Sequence, residues 1–248
     1  MIEKIFSIDF KRKFQVYNLL HPVLLKLMRM QRMQRKQELY ILNEHPAFSG
    51  RNVIYAVNHS CRYDMPIASE VIEKHTCVLV GKQRLDFIDR LCFLLNGVVY
   101  VDRKSSDSRK KAFQRILAHL RQGRNMCIYP EGTWNLTPSK PLLPMYWGIV
   151  ELSRQSGCPI VPLVLEFREN ACWAKFGQAI YVRPEDQKRE RFALLEEEMA
   201  TIKWELWEQF PMVSRSSLDM DEWEQEVQRR IAAYPKLDYE YEKSCVRR

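Results

Sequence analysis

The sequence predicts an α/β fold: a mixed, largely parallel sheet flanked by helices, with an N-terminal basic amphipathic helical segment and C-terminal helices. Three observations predict it. Short apolar runs alternate with segments of helical period from Val53 to Val182. Before them, Lys11 to Lys36 holds eight basic residues and no acidic one. After them, from Glu185 on, Glu, Leu and Trp dominate. The expected organisation is an amphipathic segment over 1–40, an α/β domain over 41–184, and helices over 185–248 that pack on the same domain.

In the first segment Tyr17, Leu20, Leu24, Leu27 and Met28 recur at helical spacing, and Pro22 must start a helix or kink one. The segment either lies in a membrane interface or packs on the domain with a solvated basic face. Val53–Asn58 reads as a strand, and Pro66–Lys74 as a helix with proline in its favoured first turn. Cys77–Val80 and Val98–Val101 read as short buried strands, with Phe87–Leu95 helical between them. Ser108–Gln122 is a helix whose face is Phe113, Ile116, Leu117 and Leu120, with Gly123 placed to end it. Met126–Tyr129 is a strand, and Met145–Ser156 is a helix ended by Gly157. Pro159–Leu165 and Ala179–Val182 are strands, and Glu185–Phe210 is a long helix. Met220, Trp223, Val227 and Ile231 mark a shorter helix before a polar end, Tyr239–Arg248.

A length of 248 residues suffices for one closed core, and 46% hydrophobic with 28% charged residues is a globular composition. A net charge of +8 suits an acidic partner: nucleic acid, an anionic membrane or a phosphorylated substrate. No apolar run reaches the roughly 18 residues of a spanning helix. The longest, Val16–Leu25 and Cys92–Val101, are broken by His21 and Asn96. The N-terminus lacks the pattern of a signal peptide. None of the seven cysteines forms a C-x-x-C pair, and most sit in apolar stretches, as reduced thiols of a cytosolic protein do. No metal-ligand set stands out and no cofactor is expected.

Asn58-His59-Ser60-Cys61-Arg62-Tyr63-Asp64-Met65-Pro66 joins a strand to a helix, where a rigid base can hold reactive side chains. On one continuous helix His59 and Asp64 would diverge by about 140°. They meet only if His59 stands in the turn and Asp64 at the helix start. A carboxylate there can hold one imidazole nitrogen and leave the other as a base. Taken alone, this pair carries little information. Three further segments accompany it: Gly97-Val98-Val99-Tyr100-Val101-Asp102-Arg103, Tyr129-Pro130-Glu131-Gly132-Thr133, and Val161-Pro162-Leu163-Val164-Leu165. Each has a bland reading as an exposed arginine, a turn or an edge strand.

In this order and spacing the four resemble the motifs of the PlsC-type glycerolipid acyltransferases, the 1-acylglycerol-3-phosphate or lysophospholipid acyltransferases. The resemblance runs from about Val53 to Leu165. It implies direct acyl transfer from acyl-CoA or acyl-carrier protein to a lysolipid hydroxyl, in phospholipid biosynthesis, with no acyl-enzyme. His59 would be the general base and Asp64 its orienting partner. Backbone N–H groups around the turn would stabilise the oxyanion. Arg103, Glu131, Gly132 and Thr133 would hold the acceptor, and Lys82 resembles a family lysine that helps to bind phosphate. The implied location is the cytoplasmic face of a membrane, peripheral or monotopic, on an anionic surface and without nucleic acid.

Four positions depart from the pattern. Cys61 stands where the family has serine; it is read as packing, although a thioester hydrolase acting through Cys61 stays open. Tyr100 and Tyr129 replace phenylalanine. Trp134 replaces the arginine that follows E-G-T and binds acceptor phosphate in the family. Tryptophan cannot supply that bidentate contact, so a glycolipid or amino-lipid acceptor stands beside 1-acylglycerol-3-phosphate. A basic domain that binds lipid or nucleic acid without chemistry is the alternative class.

Overall fold

In the computed structural model the described residues are 10–46, 52–61, 63–81, 96–136 and 140–211, with 93, 219, 221 and 225. Lys82, the segment Phe87–Leu95 apart from Phe93, and the helix expected around Met220–Ile231 therefore fall outside or almost wholly outside them. The elements in chain order are α1 (Phe10–Gln34), β1 (Glu38–Ile41), β2 (Ile54–Val57), α2 (Asp64–Ile72), β3 (Thr76–Gly81), β4 (Val99–Val101), α3 (Ser106–Arg121), β5 (Asn125–Ile128), α4 (Gly148–Ser156), β6 (Ile160–Arg168), β7 (Ala171–Phe176) and α5 (Lys188–Trp207).

The strands form one seven-stranded sheet in the order β1-β7-β6-β2-β5-β3-β4. Every neighbouring pair is parallel except β6 and β7. The central strand shows why a two-residue period builds two cores. Ile54 and Ala56 face one apolar cluster, with Ile116 of α3, Ile149 of α4 and Leu195 of α5. Val53, Tyr55 and Val57 face the other, with Ile67, Ala68 and Val71 of α2. β2 is buried on both faces, as a central parallel strand must be. Gly157, at φ 72°, closes α4 and passes its N–H to Ser153.

Two strands escape the sequence reading, and one expected strand is not formed. β7 returns antiparallel beside β6, with Leu165 opposite Ala174. β1, a four-residue edge strand, pairs with β7. The Ala179–Val182 segment contributes a single bridge, Ile180 to Ile160, because β7 already occupies that edge of β6.

α1 runs through Pro22 and lies antiparallel to α2. His21 Nε2 meets the Glu73 carbonyl at 3.1 Å, Arg32 Nε donates to Glu70 at 3.0 Å, and Arg35 stands 4.1 Å over the Tyr63 ring. Leu24, Leu25 and Met28 are buried against the domain. A second apolar stripe, Val16, Leu19, Val23, Leu27, Met30 and Met33, faces outward at the same helical spacing. α1 thus packs on the domain and still presents an apolar face. No helix of the described residues is long and apolar enough to cross a membrane.

Glu70 is only 3% exposed, and Arg32 supplies its close ion pair. Arg32→Ala should leave the buried carboxylate only the longer 4.0 Å pair with Arg29 among the described residues, and destabilise the protein by about 2 kcal/mol in denaturant unfolding. An unchanged midpoint would show that α1 is not docked through this pair.

Candidate active site

β2 ends at Val57 because the next side chain takes over the ladder. Asn58 accepts the Leu165 N–H at 2.7 Å and donates to the Leu165 carbonyl at 3.0 Å. Its own backbone is thereby released from pairing and turns out of the sheet with His59 at its tip. The turn lies at the C-terminal ends of the parallel strands, where this architecture places its sites.

Two carboxylates then hold the turn. Asp64, the first residue of α2 and 1% exposed, receives three bonds on one oxygen. They come from His59 Nδ1 at 2.7 Å, the Ser60 N–H at 2.9 Å and the Cys61 N–H at 3.2 Å. The start of a helix also favours a negative charge. Glu131, in the turn after β5, accepts the His59 N–H and the Leu143 N–H, each at 2.7 Å. The Asn135 N–H donates to the His59 carbonyl at 2.6 Å.

The imidazole is fixed on its Nδ1 side, and its side chain is 23% exposed. The Tyr129 ring lies 4.4 Å from it, centre to centre, and the Trp134 ring meets it edge-on at 5.6 Å. Among the described residues no hydrogen bond engages Nε2. An anchored Nδ1, an available Nε2 and aromatic walls suit proton abstraction from a hydroxyl.

Several expected site residues stand in unexpected places. Glu131 is 3% exposed and both of its oxygens bind backbone amides, so it faces the turn rather than an acceptor. Thr133 is also buried. Gly132 sits at φ 69°, and a Cβ there would come within 2.7 Å of the Tyr146 ring, so glycine is required twice over. Arg103 donates through Nη1 to the Gly132 carbonyl, and its guanidinium lies over Gly81 at the end of β3. The turn amides are largely committed: those of His59, Ser60 and Cys61 serve the two carboxylates and are not oxyanion donors. Burial pushes the Cys61 thiol well above its ordinary value, with the Asp64 charge adding to it, which opposes a thiolate nucleophile. The sequence reading gave no role to Asn58, whose side chain sets where β2 stops. It also missed Lys203, which donates to the Leu165 carbonyl at 2.8 Å.

Comparison with known proteins adds three findings. The family model described as Acyltransferase matches residues 30–166. The chain is 30% identical over 123 residues to a 1-acyl-sn-glycerol-3-phosphate acyltransferase of Escherichia coli, covering 48% of this chain and 49% of that one. It is 27% identical over 115 residues to a lyso-ornithine lipid O-acyltransferase of Pseudomonas aeruginosa, covering 46% of this chain and 43% of that one. The chain thus spans about half the length of the curated relatives it matches. The crystal structure of the Thermotoga maritima 1-acyl-sn-glycerophosphate (LPA) acyltransferase, PlsC, superposes with a TM-score of 0.67 at 14% identity. That match covers 85% of this chain and 88% of that one and shows a shared fold.

Glu131 links this turn to pH. Burial raises its carboxyl from 4.5 to about 7, against the lowering pull of the Leu143 and His59 amides. Between those values the folded state holds a proton that the unfolded state has released, so Glu131's contribution to stability falls as pH rises through this window. It is flat below about 4.5 and above about 7. At about 1.4 kcal/mol per unit the drop is about 3 kcal/mol. Unfolding free energies of the wild type and Glu131→Gln across this range should diverge by that amount. Parallel curves would place the Glu131 carboxyl at an ordinary value.

Proposed function

We propose that this chain, which belongs to the acyltransferase family, moves a fatty acyl group from a thioester donor to the hydroxyl of a lysolipid. The observation that carries the reading is the 2.7 Å bond between His59 Nδ1 and the buried Asp64 carboxylate, held where β2 leaves the sheet. His59 Nε2 takes the proton of the acceptor hydroxyl as its oxygen attacks the thioester carbonyl. The C–S bond breaks, and the imidazolium returns its proton to the leaving thiolate. Asp64 keeps the ring in one tautomer and stabilises its charged form. No acyl group resides on the enzyme, consistent with the raised Cys61 thiol. The donor is acyl-CoA or acyl-carrier protein.

The first acceptor we propose is 1-acylglycerol-3-phosphate, after the names of the relatives, with Arg103 and Lys82 as the cations for its phosphate. Trp134 favours a second acceptor class. Its indole lies edge-on to His59 at the position of the family arginine, so an apolar wall replaces one phosphate ligand. A sugar or amino-lipid headgroup fits such a wall, and one relative is named for a lyso-ornithine lipid.

The acceptor arrives from a membrane surface in this reading. The outward stripe of α1 supplies apolar burial. The C-terminal end of α1 reaches the start of α2 through Arg35 and Tyr63, beside Asp64. A lipid lifted from a bilayer against α1 therefore meets the turn directly.

The direct experiment is transfer from labelled acyl-CoA and acyl-carrier protein to a panel of lysolipids. His59→Ala should cost about 10²–10⁴-fold in kcat with the fold intact. Near-normal turnover by the folded variant would remove His59 from the mechanism. Trp134→Arg should lower the KM for 1-acylglycerol-3-phosphate or leave it unchanged. A variant that loses its wild-type activity on a neutral lysolipid, and gains it on the phosphate lipid, would establish the second acceptor class.

Sedimentation with anionic vesicles at low salt should capture the whole protein. Charging the stripe through Leu19→Glu and Val23→Glu should release it while transfer to a detergent-dispersed acceptor persists. Equal capture of both proteins would assign the stripe another role.

A further inference from the structure

We propose that Lys203, on α5, is a positioning residue for His59, acting through the Leu165 peptide and the Asn58 side chain. The inference rests on the reading of His59 as the general base.

Two buried donors meet at one carbonyl. Lys203 Nζ donates to the Leu165 oxygen at 2.8 Å, and Asn58 Nδ2 donates to the same oxygen at 3.0 Å. Asn58 Oδ1 accepts the Leu165 N–H at 2.7 Å, and Nδ2 also reaches Ser60 Oγ at 3.1 Å. Asn58 therefore grips the Leu165 residue on one side and the turn on the other, with His59 between its own backbone and Ser60. Asn58 is 2% exposed, Leu165 0% and Lys203 5%, so no water competes for these bonds.

Lys203 is itself held. Its ammonium pairs with Glu166 at 2.5 Å, and Glu166 also accepts Trp207 Nε1 and Arg168 Nε, each at 3.1 Å. Burying such a charge is costly, and an apolar pair of similar volume often stabilises a fold as well. What an apolar pair cannot do is occupy the second lone pair of the Leu165 carbonyl. With both lone pairs engaged, that oxygen cannot swing away from Asn58, and the exit point of the catalytic turn is fixed from behind. The ammonium also lies close enough to pull the Glu131 carboxyl downward, so its field reaches the other support of His59. Lys203 and Trp207 lie beyond the residues matched by the family model, 30–166.

The test removes the bond without stranding the Glu166 charge. In the double variant Lys203→Met with Glu166→Gln, the amide still accepts from Trp207. The folded variant should lose about tenfold in kcat, the rate equivalent of one buried hydrogen bond, with KM for both substrates within about twofold. Amide exchange at residues 58–61 should accelerate while the interior of β5 keeps its protection. Adding Asn58→Ala to the double variant should cost less than it costs the wild type, since both changes cut the same link. Wild-type kcat and unchanged exchange at 58–61 would overturn the proposal, as would additive losses from Asn58→Ala. A wild type that transfers no acyl group to any acceptor would instead defeat the reading of His59, and the exchange measurement would still decide the role of Lys203.

Discussion

A backbone that leaves the middle of a sheet must find new partners for its polar groups, and here one side chain and two carboxylates supply them. Asn58 fills the ladder position that β2 vacates. Glu131 and Asp64 take the amides of His59, Ser60 and Cys61. An unmet buried N–H costs on the order of 1–3 kcal/mol, so these bonds define one conformation of the turn rather than adding to it. Everything proposed for His59 follows from that definition. The imidazole is held at Nδ1 and lies against the rings of Tyr129 and Trp134.

The supports come from distant parts of the chain. Asp64 belongs to the helix that follows the turn, Glu131 to the turn after β5, Leu165 to β6 and Lys203 to α5. The parallel sheet makes this convergence possible, because β2 lies between β5 and β6 and all three point their C-terminal ends the same way. Helices on the two faces have different tasks. α3, α4 and α5 close one apolar cluster, and α5 adds a lysine beneath the turn. α2 closes the other cluster and carries α1, whose outer stripe is the surface we assign to lipid.

Much of this was legible because period and order are written in the chain. The short continuous apolar run at Val53–Val57 gave the central strand, and the helical periods of α3 and α4 were readable with their terminal glycines. β7 was not legible: its alternation in Ala171–Phe176 is short, and its antiparallel place beside β6 is a choice of topology. The outward stripe of α1 was read only in part. The apolar residues at helical spacing served two faces at once, and only docking on α2 separated Leu24 and Met28 from Val23 and Leu27.

The sequence by itself determined that a histidine and an aspartate five residues apart stand between a strand and a helix, beside the motifs of an acyltransferase. Spacing and residue type suffice for that, since both are local. The tertiary structure alone decided what surrounds the pair. That Glu131 grips a backbone amide rather than a substrate, that Trp134 meets the imidazole, and that Lys203 reaches the Leu165 carbonyl are contacts across 72, 75 and 38 residues. Such contacts depend on which strand ends lie side by side in the sheet, and no local pattern along the chain encodes that neighbourhood.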